Sequence, residues 1–109
     1  MSNDMELRKL LLKLGISSNM QGYFGILIAV NLIQKQKMHV SMGTIYKTIS
    51  KELNKSEHQA ERTIRYAVDR AYKLGTLQNI YPKVPDNSVF LYDLVFNFDI
   101  IKEVLENGK

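Results

Sequence analysis

Residues 56–75, SEHQAERTIRYAVDRAYKLG, contain a start, an apolar stripe and a stop for one helix, and they constrain the fold more than any other part of the chain. Ser56 and Gln59 stand at the spacing of a capping box, in which each side chain satisfies a backbone N–H that the first helical turn leaves unpaired. Ala60, Ile64, Ala67, Val68 and Ala71 recur at helical spacing and fall within roughly 100° of one another, so they face a core. Gly75 supplies a left-handed stop. The pattern predicts a helix from Glu57 to Leu74. Its far side groups Lys55, His58, Gln59, Arg62, Arg65, Tyr66 and Asp69, with Arg62 and Asp69 most directly opposite the core.

The preceding segment supplies a partner for this helix. Ser41 is placed to cap a helix from about Met42 to Leu53, with Ile45, Ile49 and Leu53 on one face and Lys47 and Lys51 elsewhere on its surface. Asn54 and Lys55 leave only a short turn before Glu57. Two helices joined this tightly, the second carrying arginines outward, form the helix-turn-helix arrangement, whose second helix lies in the DNA major groove. Pattern alone leaves a second reading open, an ordinary helical hairpin with a solvated charged face.

Charge distribution favours the first reading. The chain of 109 residues carries a net charge of +4, and residues 35–83 alone hold ten Lys or Arg against four acids. Residues 84–109 are acidic, with five acids against two lysines. A basic hairpin neutralises phosphates and releases counterions, the sequence-independent part of DNA affinity. The absence of cysteine excludes a disulfide framework and a thiolate metal site, and fits the cytoplasm. The longest apolar run, Tyr23 to Ile33, is too short to span a bilayer and is broken by Gly25 and Asn31, so no membrane partner is expected.

The remaining segments read as scaffold within a single domain over residues 1–109. Met5 to Leu14 is a short helix with Leu7, Leu10, Leu11 and Leu14 inward, stopped by Gly15. Ser17 or Ser18 opens the next helix, from about Met20 to Lys35, apolar on nearly all sides and therefore central. Past Gly75, the Asp86-Asn87-Ser88 cluster caps a last helix ending near Glu106. Val89, Leu91 and nearby aromatics offer an alternative, a strand pairing with Leu77 to Tyr81 to make a winged helix. The expected fold class is all-α, a compact bundle of five to six helices containing a helix-turn-helix, with a winged variant open after Gly75.

Three stretches resemble a known family in order and almost without gaps: GISSNMQGYFGILIAVNLIQK, then TISKELNKSEHQAERTIRYAVDRAYKLG, then PDNSVFLYDL. The family is the C-terminal DNA-binding effector domain of the stage zero sporulation protein A response regulators. The most specific matches are Gly22-Tyr23, Glu61-Arg62-x-x-Arg65 and Asn87-Ser88-x-Phe90. The resemblance implies about six helices around a helix-turn-helix, binding TGTCGAA-like boxes that often stand in tandem. It also implies that Glu61, Arg62 and Arg65 contact DNA, and the chemistry agrees. Arginine presents a fork that matches guanine O6 and N7, and a carboxylate can accept from cytosine N4.

Two departures bear on what is carried over. A further family arginine is Gln59 here, and glutamine pairs best with adenine, so the preferred box is expected to differ. The connection between Gly75 and Pro85 is shorter than usual in the family. The length also leaves no room for a receiver domain, so the expectation is an excised domain or a binder controlled by its amount or by another protein.

The residues expected to read bases are His58, Gln59, Glu61, Arg62 and Arg65. Those expected to hold phosphates are Lys47, Lys51, Lys55, Lys73 and Tyr66. No cofactor or metal is expected, since His39 and His58 lack an acidic pair at ligand spacing. Glu103 and Glu106 read as a solvated helix end rather than an acid/base pair, and no nucleophile or phosphate-loop motif suggests an enzyme. Met20, Met38 and Met42 read as core filler. A C-terminal helix with more apolar positions than one stripe needs predicts weak pairing of two copies on tandem sites. A protein-interaction module acting on RNA polymerase or another regulator remains the alternative function.

Overall fold

The computed structural model describes residues 4–36 and 39–107. Among the described residues six α-helices follow one another: α1 Asp4–Lys13, α2 Tyr23–Lys35, α3 Met42–Leu53, α4 Glu57–Lys73, α5 Asn87–Phe96 and α6 Phe98–Asn107. A single 3-10 turn, Leu77–Asn79, lies between α4 and α5. There is no strand among the described residues, so the fold is an all-α bundle.

Helix α2 is the hub and packs against α3, α4 and α5. Its own Tyr23, Ile26, Ala29, Val30 and Ile33 are buried, as are Ile45 and Ile49 of α3. The five residues of the α4 stripe, Ala60, Ile64, Ala67, Val68 and Ala71, are all wholly buried. Phe90, Leu91 and Leu94 of α5 close the core from the far side. Met20 and Met42 lie partly buried against it, as core filler does; Met38 falls outside the described residues.

Two glycines stop helices by adopting positive φ, Gly15 at 85° and Gly75 at 99°, a backbone conformation that costs other residues a steric penalty. A third is required by contact rather than by dihedral angle. At Gly22 a Cβ would lie 2.3 Å from the carbonyl oxygen of Thr63, so the start of α2 rests directly on the backbone of α4.

That contact explains why α2 begins later than its sequence suggests. Ser17 and Ser18 do not cap it; residues 17–23 instead form two turns, with Met20 N–H bonded to Ser17 O at 3.0 Å and Tyr23 N–H to Met20 O at 3.1 Å. Gly22 occupies the N-cap position without a side-chain bond. The chain must bring a residue without a side chain against Thr63 before it can turn into the helix.

The C-terminal region corrects the sequence reading twice. The expected single last helix is broken at Asn97, whose φ of −122° and ψ of 28° end α5. Its N–H bonds Asp93 O at 2.9 Å and its side-chain amide bonds Asp93 Oδ1 at 2.8 Å, fixing the bend. The break lets Leu94, Phe98 and Ile101 all reach the interior. The winged variant is also excluded, because residues 89–92 lie within α5 and residues 77–79 form the 3-10 turn. Side chains rather than a strand ladder hold that connection. Leu77 is wholly buried, Tyr72 Oη donates to Tyr81 O at 3.3 Å, and Tyr81 Oη donates to Asp93. Burial, and then the neighbouring Asp93 carboxylate, push the Tyr81 phenol above its ordinary value, so it remains a donor.

Candidate nucleic-acid interface

Both helices of the hairpin are fixed by local chemistry. Ser41 Oγ accepts from Thr44 N at 3.1 Å at the head of α3. At the head of α4, Gln59 N–H donates to Ser56 Oγ at 3.0 Å and Ser56 N–H donates to Gln59 Oε1 at 2.9 Å, a complete capping box. Between the helices Asn54 adopts φ 54°, ψ 52°, a left-handed conformation that asparagine tolerates. Ser50 Oγ donates to Lys55 O and closes the turn from the α3 side.

With the core stripe buried, the opposite face of α4 is open. His58, Gln59, Arg62, Arg65, Tyr66, Arg70 and Lys73 are exposed, and Tyr66 is 64% accessible despite its size. Arg62 forms no ion pair or side-chain hydrogen bond with any described residue. Glu61 and Arg65 do pair, with Arg65 Nη1 2.8 Å from Glu61 Oε2, and the glutamate is the more sheltered of the two. Lys47, Lys51 and Lys73 are exposed and Lys55 half-buried, all without ion-pair partners among the described residues.

The two flanks of α4 are both concave. On one side Arg62, Thr63, Tyr66 and Arg70 face the loop from Gly15 to Gly22 across a hollow of about 710 Å³. On the other, Glu61, Arg65 and Asp69 line a smaller hollow with Tyr46 and residues 84–88. The structure thus divides the expected base-reading residues between flanks, placing Arg62 on one and the Glu61–Arg65 pair on the other.

Asn87 ties α5 to this arrangement. Its buried side-chain amide donates to the backbone carbonyl of Glu61 at 3.1 Å and to Tyr46 Oη at 3.0 Å, linking α3, α4 and α5. Burial raises the Tyr46 phenol above its ordinary value, with the Asn87 bond acting the other way. Sequence pattern marks Asn87 only as one of several caps, because no local signal shows a side chain bonded to a residue 26 positions away. Asn87→Ala is expected to cost about 1 kcal/mol, the net value of buried hydrogen bonds lost together with one unpaired oxygen. Chemical denaturation with an unchanged m-value would measure it.

Residues 7–92 match the family described as Sporulation initiation factor Spo0A C terminal. The chain belongs to that family. No curated protein and no solved structure matches it at a significant level. The Spo0A C-terminal domain is the DNA-binding effector part of a sporulation response regulator, which places this chain among DNA-binding domains of transcription regulation. The match ends within α5, and α6 lies outside the matched residues. Among the described residues, no group of His, Asp or Glu could hold a metal ion, and no helix is long and apolar enough to cross a membrane.

Proposed function

We propose that the chain is a sequence-specific binder of double-stranded DNA that regulates transcription, with α4 as the helix that enters the major groove. The observation that carries this reading is Arg62. It is an arginine on the open face of a rigidly capped helix, with no partner of its own among the described residues and a fork suited to guanine. Arg65 and Glu61 would exchange their mutual bond for base or phosphate contacts, with Gln59 and His58 beside them at the helix start. Lys47, Lys51, Lys55, Lys73 and Tyr66 surround this row and would hold the sugar-phosphate backbone, supplying affinity without sequence information.

The exposed Phe96 and Ile100, at 68% and 60% accessible, support a second element of the proposal. They leave apolar surface around the bend between α5 and α6, suited to weak pairing of two copies held side by side on tandem boxes. The same surface favours the alternative reading, contact with RNA polymerase or another regulator, over a purely solvated end.

A mobility shift comparing a duplex carrying a TGTCGAA-like box with a scrambled duplex, at one stated salt concentration, tests the central reading. Tighter binding to the box is expected, and equal affinity for both would remove sequence-specific reading. In the same assay each lysine that truly neutralises a phosphate should, when replaced by methionine, reduce the slope of log affinity against log salt by about 0.9. If Lys47, Lys51, Lys55 and Lys73 all leave the slope unchanged, this basic row lies outside the interface.

A further inference from the structure

Arg70 stands apart from the residues that the sequence pattern marks for DNA contact. It is exposed on α4, yet it is turned to the flank that faces the loop from Gly15 to Gly22, and it lines the same hollow as Arg62 and Tyr66. Arg62, Tyr66 and Arg70 are spaced four apart, so they form one row along the helix. Eight residues of helix rise about 12 Å, roughly the width of the major groove. If Arg62 sits over base edges, Arg70 is therefore carried to the groove's border, where the phosphates run.

The surroundings of Arg70 suit an anion. Arg65 has Glu61 one turn before it and pairs with it at 2.8 Å, whereas the positions one turn before and after Arg70 are Tyr66 and Leu74. Its guanidinium has no ion pair or side-chain hydrogen bond among the described residues. The opposing loop, GISSNMQG, contains no charged residue, so no carboxylate repels a phosphate there. It presents polar groups instead. The Asn19 carboxamide oxygen already takes the Ser17 hydroxyl, which leaves its NH2 to donate, and Gln21 is exposed on the wall of the hollow.

We infer that Arg70 clamps a single DNA backbone phosphate in the hollow between α4 and the α1–α2 loop, at the opposite border of the groove from the start of α4. The inference rests on the proposal that α4 enters the major groove. It gives Arg70 a role distinct from that of Arg62, since a phosphate clamp adds affinity and register but no preference among sequences.

Salt titrations of the wild type, Arg70→Met and Arg70→Lys on both the box and the scrambled duplex test it. Arg70→Met should lower the slope of log affinity against log salt by about 0.9, so that raising salt from about 50 to about 200 mM costs it about threefold less affinity than it costs the wild type. The loss of affinity should be the same on both duplexes, and Arg70→Lys should restore the slope. A series of box duplexes, each with one uncharged methylphosphonate linkage, should contain a linkage that weakens the wild type and leaves Arg70→Met unaffected. An unchanged slope with a wild-type methylphosphonate profile would overturn the assignment, as would a loss confined to the box. Equal binding of box and scrambled duplexes by the wild type would defeat sequence-specific reading alone, because the slope still scores Arg70 on either duplex. If the wild type binds neither duplex, both fall.

Discussion

Gly22→Ala is expected to destabilise the domain by about 3 kcal/mol, the upper end of what overpacking costs. The added methyl would sit 2.3 Å from the Thr63 carbonyl oxygen and 2.8 Å from its carbon, both backbone atoms within α4. A flexible side chain could rotate away from such a contact. A helix backbone cannot, so α2 and α4 would have to separate, and the buried surface around Ile26 and Ile64 would open with them. For a domain of this size the loss corresponds to a fall of roughly 15 °C in Tm. Gly43→Ala is the matched control, because among the described residues a Cβ there meets only Ser41 Oγ, at 3.9 Å. It removes a flexible residue from a helix and should leave Tm unchanged or slightly higher. Similar melting of the two variants would show that the α2–α4 contact is not the constraint described.

Arg62→Ala is expected to weaken binding to the preferred box by about 2 kcal/mol, roughly thirtyfold, while leaving affinity for scrambled DNA little changed. The selectivity of the loss is the informative part. Arg62 is exposed and has no ion pair or side-chain hydrogen bond among the described residues, so its removal leaves no buried group unsatisfied and should not alter Tm. The discrimination should flatten at one base pair, found by titrating boxes substituted one position at a time. A uniform loss on all duplexes would instead make Arg62 a phosphate contact.

The hairpin was the most legible part of the chain because its signals are local. Ser41 and Ser56 cap where their spacing predicts, α3 runs over Met42–Leu53 as expected, and α4 ends one residue short of the expected Leu74. The open face of α4 also follows from a rotation of 100° per residue, once its core stripe is known. What could not be read depended on residues distant in sequence. The late start of α2 is set by Thr63, and the break at Asn97 lets the chain bury Phe98 and Ile101 as well as Leu94. Arg70 was within reach of the same rotation, lying two turns beyond Arg62. Its significance comes from the α1–α2 loop folded opposite it, which no spacing rule reveals. The Asn87 bonds to Tyr46 and Glu61 are hidden for the same reason.

The capping box at Ser56 has a consequence for the breadth of DNA recognition. Gln59 is the residue whose chemistry would favour adenine, yet adenine is matched by presenting a carboxamide oxygen and NH2 together. Its oxygen already accepts the Ser56 N–H. While that bond lasts, the oxygen is held toward the Ser56 backbone and the NH2 is the group turned to reach a base, and every purine offers an acceptor at N7. The base pair beneath it is then read permissively, and strict choice of adenine would require the first turn of α4 to give up its cap. Tolerance at that position is thus a by-product of how the helix begins.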